Sequence, residues 1–320
     1  MATYKAIHGI NVQYRASDAP EIEGDVWYNS STGKLRMYAA LGAWSTGATV
    51  GTARANPEGA DRSTPSAGLI MGGRTSGGAG GGETEEYDGS SWAEQSDLNV
   101  NRWRGGGAGS QTAALSFGGS TAPTTHVKTC EQYNGSSWTE VADLADTHPQ
   151  NTGGFGTQTA AMCVGGFGIS AVEQWDGSSW SEVSALNAAR GSMALCGSST
   201  AGLVAQGETP GANVDSVEQW DGSSWTEVAD CNTARNQPGG AGISTLSICF
   251  GGDPSALTEE WNNTSWTEIA DMSTGRGRAA AAGTASAAFC AAGATPGVTT
   301  GVNNTEEWAV SASVESIAFD

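Results

Sequence analysis

The sequence predicts an all-β fold, a six-bladed β-propeller, and three observations lead to this prediction. A phrase of the form Tyr/Trp-Asp/Asn-Gly-Ser-Ser-Trp returns along the chain, at residues 87–92, 133–138, 175–180, 220–225 and, in a modified form, 261–266. The final tryptophans of these phrases are 46, 42, 45 and 41 residues apart, a spacing typical of four-stranded propeller blades. The Asp-Gly or Asn-Gly pair between the aromatic residues is a strong hairpin signal.

Each repeat unit predicts four short strands. In the unit that begins near Leu98, a glycine-rich first strand precedes residues 112–117, which are small and apolar and predict the second strand. Residues 130–133 predict the third strand, and residues 138–142 predict the fourth strand after a tight hairpin. Gly118 and Gly119 close the second strand and permit a turn that a side chain would block.

Glycine doublets recur at the end of the second strand, at residues 72–73, 118–119, 165–166 and 251–252. The fourth and sixth units depart from this pattern with Gln206-Gly207 and Ala292-Gly293. With an aromatic residue on the third strand and a tryptophan opening the fourth, the pattern resembles the Kelch repeat over roughly residues 44–320. The resemblance implies a six-bladed propeller. We expect its repeat core to contain Tyr87, Tyr133, Trp175, Trp220, Trp261, Trp308, Trp92, Trp138, Trp180, Trp225 and Trp266.

We assign residues 44–320 to the propeller and residues 1–43 to an N-terminal extended arm and β-hairpin. The propeller has to close its ring, because an open ring leaves strand edges exposed. Two strands are candidates for completing the last blade. One contains Trp44, and the other contains Glu315, which keeps the fourth-strand glutamate but has Ser313 where the tryptophan is expected. We favour Trp44, so that an N-terminal strand pairs with C-terminal strands.

Residues 24–38 alternate in polarity around a turn that contains Gly33, which predicts the hairpin. This stretch resembles a hairpin found in tail-fibre and other virion proteins of bacterial viruses. The residues before it have too few apolar side chains to form a core of their own. We expect the arm to dock on a neighbouring protein or on the propeller rim, and the resemblance implies that its partners are other virion proteins.

Composition restricts the partners. The formal net charge is −20, and phosphate binding needs a basic stripe, so no nucleic-acid partner is expected. No apolar run approaches the roughly 20 residues of a membrane span, and the N-terminus has no hydrophobic secretory core. We therefore expect that the chain does not insert into a membrane. We expect it to assemble in the host cytoplasm. Cys163, Cys249 and Cys290 occupy one repeat position in different units, so they should be free core thiols rather than disulfides.

The sequence offers no catalytic, cofactor-binding or metal-binding constellation. Its histidines are His8, His126 and His148, at unrelated places, whereas zinc and copper sites need clustered ligands. The Asp-Gly-Ser-Ser-Trp phrase has a superficial resemblance to the Asp-box turns of sialidases, but it lacks their Ser-x spacing and lies elsewhere in the blade. Paired catalytic carboxylates also need one shared cleft rather than symmetric repetition. We expect a protein that is not an enzyme and has no cofactor.

Charged residues that recur in the units could form an anion-binding site or structural ion pairs. Arginine stands at one repeat position in five units, with His148 in its place in a sixth, and a glutamate recurs on the fourth strand. A catalytic group is needed once, whereas a charge in every blade usually forms structural ion pairs. We therefore interpret these residues as structural. They are Arg54, Arg102, Arg190, Arg235 and Arg276, and Glu94, Glu140, Glu182, Glu227, Glu268 and Glu315.

The units differ most in the loops between their second and third strands, which should all emerge on one face of the disk. Loops on a rigid scaffold often carry recognition, although unconstrained turns also drift in sequence, and the two interpretations have equal weight here. Shorter loops span residues 167–171 and 253–258. The candidate recognition loops are bounded by Arg74 and Thr84, Ser120 and Thr129, Glu208 and Val217, and Ala294 and Thr305.

Taken together, these features predict a non-enzymatic structural component of a bacteriophage virion, located in the tail or its fibres and present in several copies. The propeller would be a rigid attachment module or would contact a host surface receptor or glycan. The alternative is a cytoplasmic Kelch-type interaction module. A capsid decoration protein and a sugar-acting propeller enzyme are weaker alternatives.

Overall fold

The computed structural model describes residues 13–17, 25–75, 80–148, 150–253, 255–295 and 301–316. Within these residues all regular elements are β-strands, and their arrangement confirms the predicted six-bladed propeller. The first part of the predicted arm, with His8, and residues 76–79 of the first variable loop lie outside the described residues. The chain divides into two compact units, Met1–Ala43 with Ala309–Asp320, and Trp44–Trp308.

In the first unit, β1 (Gln13–Arg15) pairs in parallel with β2 (Val26–Asn29), which forms an antiparallel hairpin with β3 (Lys34–Gly47). Gly33 adopts a φ of +69° in the turn. The Asn29 side chain accepts hydrogen bonds from the backbone N–H groups of Ser31 and Thr32. These two features fix the tight reversal that the sequence of residues 24–38 predicts.

The blades follow one another along the chain. The first blade consists of β4 (Glu58–Gly59), β5 (Gly68–Met71), β6 (Thr84–Tyr87) and β7 (Trp92–Glu94). The second contains β8 (Gly106–Ser110), β9 (Ala113–Phe117), a loop hairpin of β10 (Ser120–Ala122) and β11 (Thr125–His126), β12 (Cys130–Tyr133) and β13 (Trp138–Val141). The third consists of β14 (Gly153–Thr157), β15 (Ala160–Gly166), β16 (Ile169–Trp175) and β17 (Trp180–Val183).

The remaining blades repeat this plan. The fourth blade consists of β18 (Ala194–Ser198), β19 (Ala201–Ala205), β20 (Val217–Trp220) and β21 (Trp225–Val228). The fifth consists of β22 (Gly239–Ile243), β23 (Leu246–Phe250), β24 (Thr258–Trp261) and β25 (Trp266–Ile269). The last contains β26 (Ala280–Thr284), β27 (Ala287–Ala291) and β28 (Thr305–Ser316). In the first five blades, neighbouring strands are consecutive in the chain apart from the loop hairpin, so each of these blades is an antiparallel meander.

A strand from the N-terminal side of the chain closes the ring. The last sheet has the order β1-β2-β3-β28-β27-β26, so β3 takes the fourth-strand position of the sixth blade. Trp44 on β3 lies 5.6 Å from Trp308 between ring centroids, close to the 5.4 Å between Trp175 and Trp180 in the third blade. Its indole N–H donates to the Thr258 hydroxyl of the fifth blade. The strand around Trp44 therefore supplies the tryptophan that residues 309–316 lack.

The expected repeat core is placed as follows. Ten of its aromatic residues are buried, and Trp92 on the outer strand of the first blade is half-buried. Fourth-strand tryptophans also reach the preceding blade, as the edge-to-face contact of Trp180 with Phe117 shows, with ring centroids 4.8 Å apart. Such contacts wedge neighbouring blades together.

Small residues in the core also follow the sequence pattern. All six cysteines are free and buried, and burial raises the pKa of the Cys196 and Cys249 thiols to about 12. Gln206 and Ala292 replace the first glycine of the doublet. They nevertheless adopt the same left-handed backbone, with φ of 60° and 58°.

Candidate functional site

A buried ion pair is present in every blade, between the recurring cation and a glutamate on the third strand. The glutamate stands two residues before the third-strand aromatic residue, so both side chains point inward from the strand. The shortest N–O distances are Arg54–Glu85 2.9 Å, Arg102–Glu131 2.8 Å, His148–Glu173 3.1 Å, Arg190–Glu218 3.1 Å, Arg235–Glu259 2.9 Å and Arg276–Glu306 3.2 Å.

The second blade shows what these pairs do. The Glu131 carboxylate accepts hydrogen bonds from the backbone N–H groups of Asn99 and Val100, in the segment that leads from the first blade. Arg102, in the same segment, donates to the backbone carbonyls of Thr129 and of Gly118. Each pair therefore fixes the connection between two blades to the third strand of the second of them. This is a structural role.

The partner of the recurring cation is a residue that the sequence analysis missed. The fourth-strand glutamates singled out there are exposed where the structure describes them, as Glu140 illustrates. The third-strand glutamates are buried instead. The alternation of side chains along the strand indicates their burial, because a glutamate two residues before a core aromatic residue points to the same inward face. A glutamate buried there requires a buried cation.

The repeated Asp-Gly-Ser-Ser phrase forms an exposed turn. The Asp88 carboxylate accepts hydrogen bonds from the Ser90 hydroxyl and from the backbone N–H groups of Ser91 and Ser90, which together lower its pKa to about 2. Asp176 and Asp221 have equivalent bonds in their own blades. The phrase thus shapes the hairpin between the third and fourth strands.

The candidate recognition loops begin beside the propeller axis. Their first residues form β-bridges with the residue that follows the recurring cation: Arg74 with Ala55, Ser120 with Trp103, Glu208 with Gly191, and Ala294 with Gly277. The residues that end these loops stand at or next to the start of the third strands. Thr84, Val217 and Thr305 are buried there, and Thr129 is half-buried. The loop beginnings, rather than their ends, therefore lie next to the segments that precede the first strands.

A polar ring surrounds the axis on the side of these loops. It consists of the residues that stand two positions before each first strand, and all of them adopt a left-handed backbone with φ between 54° and 62°. Backbone hydrogen bonds connect neighbouring members, for example from Asn56 N–H to the Arg278 carbonyl at 2.8 Å. The members are Asn56, Arg104, Asn151, Ser192, Gln237 and Arg278. We call this ring the loop-side mouth.

A central cavity of about 140 Å³ extends from the loop-side mouth along the first strands of the blades. Its wall is rich in glycine, including Gly106, Gly154 and Gly240. The first strand of each blade pairs only with the second strand, so its other edge faces the axis. Backbone N–H and C=O groups therefore contribute to the wall.

Two charged residues that occur once, Asp61 on the cavity wall and the neighbouring Arg62, lie near the ends of the first strands away from the loop-side mouth. The Asp61 carboxylate accepts hydrogen bonds from Gly109 N–H at 3.1 Å and from Gly156 N–H at 3.0 Å, in two different blades. The Arg62 guanidinium donates to the carbonyl of Gly197. Burial raises the pKa of Asp61 to about 7.

Glu58 is another unrepeated charge on the cavity wall. It is 3% exposed and accepts a hydrogen bond from the Ser116 hydroxyl of the second blade. Burial raises its pKa to about 8, against the opposing effects of Arg102 and of the Ser116 hydrogen bond. The sequence analysis missed Glu58, because only ring closure shows that this first strand faces the axis.

Glu58 predicts a pH dependence of stability. Between its ordinary pKa of 4.5 and about 8, the folded chain holds a proton that the unfolded chain releases. The free energy of unfolding therefore falls as the pH rises through this window. We expect Glu58→Gln to reduce this slope in urea unfolding curves recorded between about pH 5.5 and about pH 8. Glu140→Gln, at an exposed position, is the control, and parallel slopes for wild type and Glu58→Gln would contradict the prediction.

Three arginines gather at the loop-side mouth. The guanidinium carbons of Arg74 and Arg104 lie 4.7 Å and 4.5 Å from the ring centroid of Trp103, which is therefore in contact with both. Arg278 on the ring forms an ion pair with Asp253 at 3.5 Å. Desolvation, followed by the charge of Arg278, lowers the pKa of Arg104.

Glu208 is the other acidic residue of the mouth, and neutral donors hold it. Its carboxylate accepts hydrogen bonds from the Ser192 hydroxyl at 2.9 Å and from the Asn151 amide at 3.2 Å. The described residues contain no group of three or more His, Cys, Asp or Glu side chains placed to hold a metal ion. The same part of the chain has no helix that is long and apolar enough to cross a membrane.

The fold and the axial cavity define the chain as a six-bladed β-propeller. No family model matches its sequence. No curated protein matches it either. Among solved structures, it is similar to one described as "Structure of YjhT", with a TM-score of 0.67 and 15% sequence identity. The similarity covers 83% of this chain and 99% of that chain, and at this identity it establishes the fold alone.

Proposed function

We propose that the chain is a non-enzymatic structural component of a bacteriophage virion, in the tail or its fibres, whose propeller serves as a rigid attachment and recognition module. One observation carries the proposal. The 14-residue strand β3 contains the second half of the hairpin that resembles those of virion proteins, and it continues to Trp44, which closes the propeller. An attachment segment would thus be joined to the recognition module without a linker.

The arrangement of the blades supports the recognition role. The recurring charges are used in structural pairs within blades, whereas the unrepeated arginines and the loop beginnings meet at the loop-side mouth. A rigid scaffold with variable groups on one face is the usual arrangement for binding. We infer that this face contacts the host surface, a receptor or a glycan, and that other virion proteins bind the N-terminal arm.

Antibody-gold labelling of purified particles of the virus that encodes the chain tests the location. We expect label at the tail or its fibres, and antiserum pre-absorbed with the purified chain should give none. Label on the head would instead indicate a capsid decoration protein. Absence of label on both intact and gently disrupted particles would overturn the virion proposal in favour of a cellular interaction module.

Competition for host adsorption tests the recognition face. Purified chain added before infection should reduce adsorption, and the variant Arg74→Gln/Arg104→Gln/Arg278→Gln should compete less. The matched control, Glu140→Gln/Glu182→Gln/Glu227→Gln, changes as many charges on the outer strands and should compete like wild type. Equal competition by both variants would contradict the assignment of the face.

A further inference from the structure

Basic residues are scarce in the propeller unit, and their positions are not random. The unit Trp44–Trp308 has nine arginines and Lys128 as its only lysine. Five of the arginines form the buried pairs of the blades. Of the other four arginines, Arg104 and Arg278 line the central cavity at the loop-side mouth. Arg74 contacts Trp103 beside them, and Arg62 donates to the Gly197 carbonyl near the other end of the first strands. In a chain of net charge −20, this is a local concentration of positive charge.

The mouth carries more positive than negative charge, since Arg278 pairs with Asp253 at 3.5 Å and Glu208 accepts hydrogen bonds from neutral donors. Among the described residues, neither Arg74 nor Arg104 has a carboxylate within ion-pair distance. Arg104 donates instead to the Gln150 side-chain carbonyl, and both guanidinium groups stack on Trp103. Placing like charges together costs free energy that a bound anion offsets. Stacking on Trp103 also restricts the two guanidinium groups, which lowers the entropy that binding has to remove.

At the far end of the same channel, backbone N–H groups of the wall hold a carboxyl group. There the Asp61 carboxylate is held by glycine N–H groups from two blades, and Arg62 lies beside it with an N–O distance of 3.6 Å. The chain thus supplies its own carboxylate at one end of the channel. At the other end, Arg104 has no carboxylate within ion-pair distance among the described residues, and Arg278 has Asp253 at 3.5 Å.

We propose that the loop-side mouth binds the carboxylate group of a small acid or of an acidic sugar. The carboxylate would lie between Arg104 and Arg278, which offer planar pairs of N–H donors suited to two oxygens. The cavity volume of about 140 Å³ is near that of cavities that hold one six-membered ring. An acidic sugar residue therefore fits the mouth, with any further residues of a glycan left outside among the loops. This assignment deepens the proposed recognition function by naming its ligand class.

Equilibrium dialysis of the purified full chain against D-glucuronate tests the site, with D-glucose as the neutral counterpart of similar size. We expect one equivalent of glucuronate to bind, at least about tenfold more tightly than glucose, with binding weakened by added salt. Arg104→Gln should weaken glucuronate binding about tenfold or more, because a charge-assisted hydrogen bond is lost. Lys128→Gln, which removes one exposed positive charge outside the mouth, should bind like wild type.

Arg278→Gln, which changes the other arginine of the proposed site, is a second variant for the case in which Arg104→Gln does not fold, and thermal unfolding checks the fold of each. Equal affinity for glucuronate and glucose would overturn the proposal, as would wild-type affinity in both folded arginine variants. Tighter binding of inorganic phosphate than of glucuronate would overturn the assignment to carboxylates. Dialysis does not depend on the virion, so failure of carboxylate binding and failure of particle labelling are separate results.

Discussion

Arg102→Met is expected to lower the free energy of unfolding by about 3–5 kcal/mol, the loss typical of breaking a buried ion pair by removing one partner. The Glu131 carboxylate is fully buried and would lose the guanidinium that lies 2.8 Å away. The carbonyls of Thr129 and Gly118 would lose a donor as well. Urea unfolding followed by tryptophan fluorescence at neutral pH measures the loss.

A double variant separates the charge effect from loss of packing. Arg102→Met/Glu131→Gln removes the unpaired charge but keeps an acceptor oxygen for the N–H groups of Asn99 and Val100. It should recover part of the stability that Arg102→Met loses. Glu140→Gln, which changes an exposed carboxylate, should stay within about 0.5 kcal/mol of wild type. If Arg102→Met also changed the free energy of unfolding by no more than about 0.5 kcal/mol, the ion pair would not hold the blades together.

Trp138→Ala should cost about 3–5 kcal/mol, since it removes a buried aromatic side chain from a closely packed site. The indole is 6% exposed and its ring centroid lies 4.9 Å from that of Tyr133. Its N–H donates to the hydroxyl of Thr84 in the first blade at 3.0 Å. The substitution therefore opens a cavity between two blades and removes a hydrogen bond between them.

Two further variants check this explanation by thermal or urea unfolding. Trp138→Phe keeps most of the apolar contact and loses the hydrogen bond, so its loss should be clearly smaller. Trp92→Ala changes the half-buried equivalent on the first blade and should also cost less than Trp138→Ala. If Trp92→Ala and Trp138→Ala destabilised the chain equally, burial would not explain the effect.

Much of the architecture could be predicted from the chain because the architecture repeats. Four strands, a glycine doublet and an aromatic pair return in most units, and each copy supports the interpretation of the others. Closure by Trp44 could be predicted for the same reason, since the last unit lacks its own fourth-strand tryptophan. The buried partners of the recurring arginines were missed, because the exposed fourth-strand glutamates recur equally well.

The sequence by itself determined the number of blades, the strands within them and the structural role of the repeated charges. The reason is that the spacing of apolar and charged residues repeats in each unit and indicates which side chains are buried. Only the tertiary structure decided where the unrepeated residues meet. Arg74, Arg104 and Arg278 belong to different blades and follow no pattern in the sequence. Only ring closure brings these arginines to one mouth, because all blades together form the axis. Ring closure also places the glycine-rich first strands in the wall of the channel.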